Sequence, residues 1–60
     1  MVLAADLADR LVEVAEDYRA CAVAGAEQER LNEAWSDATI AASLLVVAET
    51  LRSLDEAEAA

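Results

Sequence analysis

Between Trp35 and Leu54 the chain reads WSDATIAASLLVVAETLRSL, with no charge at all from Ala38 to Val47. Its apolar positions fall into two adjacent stripes at helical spacing. One is Ile40, Leu44, Val47, Leu51 and Leu54; the other is Leu31, Ala34, Ala38, Ala41, Leu45 and Ala48, with Trp35 at its edge. At 100° per residue the two stripes together span about 160°, against roughly 100° for an ordinary surface helix. One helical neighbour cannot cover so wide a face. A bilayer is not expected to do so either, because the Ala38–Ala48 run is about half of the roughly 20 residues a crossing needs. Asp37 and Glu49 also flank it. The two stripes are therefore expected to face different partners, one of them in another chain.

The first part of the chain has a simpler pattern. Ala4, Leu7, Leu11, Val14, Tyr18 and Cys21 alternate at spacings of three and four, which puts them on one side of a helix over about residues 3–24. Asp6, Asp9, Glu13 and Glu16 form an acidic row on the other side, and Ala8, Ala15 and Ala22 flank the apolar stripe. Small residues there would let a neighbouring helix come close. Gly25, the only glycine, follows the stripe and is read as a helix stop, since glycine takes positive φ without a Cβ penalty. The turn is placed at 25–26 and a second helix at about 27–54. A break between Asn32 and Asp37, with Asn32 or Ser36 as N-cap, is the alternative; a single unbroken helix is a third. The acids after Leu54 oppose the helix dipole, so residues 55–60 are expected to fray.

Sixty residues give one thin domain, which buries only about 60% of the surface its unfolded form exposes. The usual staples for a chain this small are missing. One cysteine closes no intramolecular disulfide, and without histidine there is no typical zinc site. Sixteen of the apolar residues are alanines, which add little buried area each, so association is the remaining way to gain stability. Alanine, leucine, glutamate and arginine all favour helix, and there is no proline. The expected fold is all-α: an antiparallel two-helix hairpin that dimerises into a four-helix bundle.

The formal net charge of −9 argues against direct contact with nucleic acid or an anionic membrane. Each of the four basic residues, Arg10, Arg19, Arg30 and Arg52, has a carboxylate at helical spacing, which leaves no basic patch for phosphate. Catalysis has little to work with. Cys21 has no histidine to activate it and lies on the apolar stripe, and Tyr18 on the same stripe reads as packing. No Glu-x-x-His pair or EF-hand pattern is present, and no cofactor or metal is expected. With no basic n-region ahead of Asp6 and Asp9, the expected location is cytoplasmic.

These readings converge on a non-enzymatic interaction protein: an adaptor, regulator or inhibitor that associates with itself and with another protein. Its core or interface residues would be Leu7, Leu11, Val14, Tyr18, Trp35, Ile40, Leu44, Leu45, Val47, Leu51 and Leu54. The alternative gives the acidic row of Asp6, Asp9, Glu13 and Glu16 the central part, as a mimic of phosphate spacing or an antitoxin-like antagonist of a nucleic-acid-binding protein.

Overall fold

Two runs of strong helix formers, separated by a short polar stretch, fold as two helices packed against each other. The computed structural model of the chain describes residues 3–59. Helix α1 spans Ala4–Glu27 and helix α2 spans Leu31–Ala59. Their 24 and 29 residues, at about 1.5 Å of rise each, account for a molecule measuring 47 × 15 × 13 Å. The chain is an all-α helical hairpin.

What holds the pair together is a ladder of alanines. Ala8, Ala15 and Ala22 on α1 and Ala34, Ala41 and Ala48 on α2 are buried, each seven residues from the next. That repeat keeps one seam facing the partner helix along its whole length. Half-buried residues interleave with the alanines: Ala4, Leu11 and Tyr18 on α1; Asp37, Leu44, Leu51 and Asp55 on α2. With Gly25 lying against Ala34 near the turn, the antiparallel register sets small against large along the hairpin. Tyr18 falls level with Ala41, Leu11 with Ala48, Ala15 with Leu44 and Ala8 with Leu51. Such pairing lets the axes approach near the lower end of the roughly 8–10 Å range.

The seam differs from the expected stripes in both helices. On α1 it is centred on Ala8, Ala15 and Ala22 rather than on the leucine stripe they flank, so Leu7, Val14 and Cys21 stand exposed beside it. On α2 it runs between the two stripes, taking Leu44 and Leu51 from one and Ala34, Ala41 and Ala48 from the other. The physical reason is the close approach itself. A line of methyl groups admits a neighbouring backbone, whereas a line of leucines holds it off.

The turn also lies later than Gly25. The α1 C-cap is Gln28, and the reversal takes residues 28–30. The Arg30 N–H donates to the Gly25 carbonyl at 2.8 Å and the Glu29 N–H to that of Ala26 at 3.1 Å. These two bonds form a Schellman motif, which needs a left-handed residue just past the cap. Glu29 fills that place with φ 60°, while Gly25 stays helical in the seam. Neither Asn32 nor Ser36 begins α2. The first turn closes where the Ala34 N–H donates to the Arg30 carbonyl at 3.0 Å. At the far end α2 extends past Leu54 to Ala59; Ala60 lies outside the described residues. Half-buried Asp55 comes level with Ala4, so the last turns still run beside α1.

Candidate interaction surface

A seam of alanines leaves the large apolar side chains outside it. Among the described residues no large side chain is fully buried. The exposed surface of 4658 Å² exceeds the about 3,700 Å² typical of a compact monomer of this mass. The radius of gyration, 14.0 Å, likewise exceeds the about 10 Å of a compact chain this long. This shape has unused apolar area along its length.

That area is organised. The residue immediately before each seam alanine on α1 is apolar: Leu7, Val14 and Cys21. On α2 the equivalent positions hold Ile40, Val47 and Leu54, with Glu33 at the turn end. In an antiparallel pair, residues that precede the seam positions of both helices fall on the same side of the hairpin. Leu7, Val14, Ile40, Val47 and Leu54 are 40–54% exposed, so this flank is a broad apolar strip contributed by both helices. Leu11, Tyr18, Leu44 and Leu51 are half-buried and edge the seam beneath it.

The opposite flank mixes charge with apolar side chains, exposed Leu31 and half-buried Val12 among them. There Arg52 reaches across to Asp9, with an N–O distance of 2.7 Å, in preference to Glu49, Asp55 or Glu56 on its own helix. Leu45 lies on this side. Arg30 pairs with Glu33 at 3.2 Å, one turn along the chain. Among the described residues, Arg10 and Arg19 have no carboxylate within 4 Å, although acids stand at helical spacing from both.

The back of α2 has a third character. Trp35 is 76% exposed there, outside the hairpin core. Three hydroxyls along α2 bond its own backbone one turn earlier: Thr39 donates to the Trp35 carbonyl, Ser43 to that of Thr39 and Thr50 to that of Val46, at 2.8–3.0 Å. By length and composition α2 is apolar enough to cross a membrane, with a mean hydropathy of 1.2 within Leu31–Glu58.

The acidic row of Asp6, Asp9, Glu13 and Glu16 faces outward on α1. Among the described residues no three acidic or thiol side chains converge in a way that could hold a metal ion. An open depression at the start of α2 is lined by Asn32, Glu33, Ser36 and Asp37. The alanine seam is not evident from the apolar stripes. Its signal was present as the seven-residue spacing of alanine in both halves. Comparison with protein-family models, curated proteins and solved structures gives no match.

Proposed function

We propose that this hairpin is a non-enzymatic interaction module that works as a homodimer, its apolar flank covered by a second copy to complete a four-helix bundle. The observation that carries this reading is the pairing of a buried core made only of alanines and Gly25 with a strip of half-exposed Leu7, Val14, Ile40, Val47 and Leu54. Such a core is too small to stabilise a chain of this length alone, and the strip is where the missing burial can come from. A second copy fits because the strip runs the length of the rod and offers the same apolar residues to its own image, as an isologous interface requires. The acidic outer row then keeps the bundle soluble and turns a charged surface toward a further protein partner.

A bilayer is the less favourable cover for α2. Asp37, Glu49, Arg52 and Asp55 all lie within the apolar helix, and acidic α1 packs along most of its length. The cytoplasmic, adaptor-like or inhibitory role rests on this reading. The acidic-antagonist role has one observation in its favour, the outward row on α1, but Arg52 already pairs with Asp9 in that row.

Sedimentation and thermal melting across a concentration series test the proposal. The expected result is a dimer mass at micromolar concentration and a melting temperature that falls on dilution. Val47→Asp, which lies outside the hairpin seam, is expected to yield a helical monomer, since burying an unpaired carboxylate would oppose association. A wild-type chain that melts cooperatively as a monomer, independent of concentration, would overturn it.

A further inference from the structure

Resting on the dimer just proposed, we infer its orientation: the two hairpins stack with their turns at opposite ends, so that α1 lies antiparallel on α1 of the partner subunit. Two stackings of the apolar flanks satisfy twofold symmetry. With turns at the same end, each α1 covers the partner's α2. With turns at opposite ends, α1 covers α1 and α2 covers α2.

The charges bordering the flank distinguish them. Arg10 and Asp17 lie on the same outer edge of α1, four residues before and three after Val14, and neither has an ion-pair partner within the hairpin among the described residues. In the opposite-end stacking the twofold axis passes near Val14. Leu7 then meets the partner's Cys21, and Arg10 comes level with the partner's Asp17, twice by symmetry. In the same-end stacking the register sets Arg10 beside the partner's Thr50 and Asp17 beside the partner's Ser43, hydroxyl positions that offer no countercharge. Thr50 already donates to Val46, and Ser43 to Thr39. Edge charges of this kind add little affinity but select orientation, because the wrong arrangement leaves them without partners.

Oxidative cross-linking reads the orientation directly. In a Cys21→Ala background, Val14→Cys places the two thiols near the axis, within reach of the roughly 4.4–6.8 Å Cα separation a disulfide needs. A covalent dimer is expected. The unmodified chain is expected to stay uncross-linked, since its Cys21 residues would lie about 20 Å apart along the helices. A charge swap gives a second readout. Arg10→Asp and Asp17→Arg singly are expected to weaken the dimer about three- to thirty-fold, and the double variant to return within about twofold of wild type. A Val14→Cys chain that sediments as a dimer but does not cross-link, with no recovery in the double swap, would overturn the orientation alone. A wild-type chain that sediments only as a monomer would instead overturn the dimer itself.

Discussion

Gly25 and Glu29 exchange the roles their residue types suggest. Glycine is the usual occupant of the left-handed position after a helix, yet Gly25 stays helical and Glu29 takes φ 60°. Gly25 is buried in the seam, where a Cβ would sit 3.5 Å from the Ala34 Cβ. That is ordinary contact, so one methyl group fits. Gly25→Ala should then stabilise the hairpin by about 0.5–1 kcal/mol, through better helix propensity and a less flexible unfolded chain. Were Gly25 the stop, the same change would destabilise. Glu29→Gly should also stabilise, by roughly 1 kcal/mol, by relieving the left-handed strain on a residue with a Cβ. Urea melts at one fixed concentration decide both signs. A loss of stability on Gly25→Ala would mean the turn lies where the sequence suggested.

At the scale of the helices, much was legible and one feature was hidden. Helix content, the number of helices and their hairpin arrangement follow from propensity and periodicity. So does the excess width of α2's apolar face. The buried face does not follow, because helical spacing alone cannot tell a line of alanines from the adjacent line of larger side chains as the contact seam. Leu7 and Val14 outweigh Ala8 and Ala15 in side-chain size, yet the smaller pair is buried. Close backbone approach, repeated every seventh residue, wins over the larger apolar area of a leucine line that would separate the axes. The flank was partly legible: Ile40, Val47 and Leu54 were grouped on one stripe, but their alignment with Leu7, Val14 and Cys21 depends on the register. A neighbouring pair of alanines tests the seam. Ala41→Leu should cost about 1–3 kcal/mol, because Tyr18 already fills that level. Ala42→Leu, one residue on and exposed, should change stability by no more than about 0.5 kcal/mol. Chemical denaturation of the two variants at matched concentration makes the comparison. Equal costs would place the helix contact elsewhere.

For the molecule as a whole, the rod shape makes the mode of association measurable without any substitution. Each hairpin is about three times longer than it is wide, with a radius of gyration of 14.0 Å. Stacking a second copy on the apolar flank adds thickness and almost no length. With layers about 10 Å apart, the dimer's radius of gyration should be only about 15 Å. Association through the turn or the open ends would instead add length, and the same mass would then give about 28 Å for two rods of about 1.5 Å per residue set end to end. Trp35 supplies an independent check, because it sits on the back of α2, away from the flank. Its emission should remain that of an exposed indole as the protein is diluted through the dimer–monomer transition. Small-angle scattering near 15 Å together with unchanged emission is the outcome expected of flank stacking. A long particle, or a blue shift that appears with dimerisation, would move the interface to the ends or to the Trp35 face.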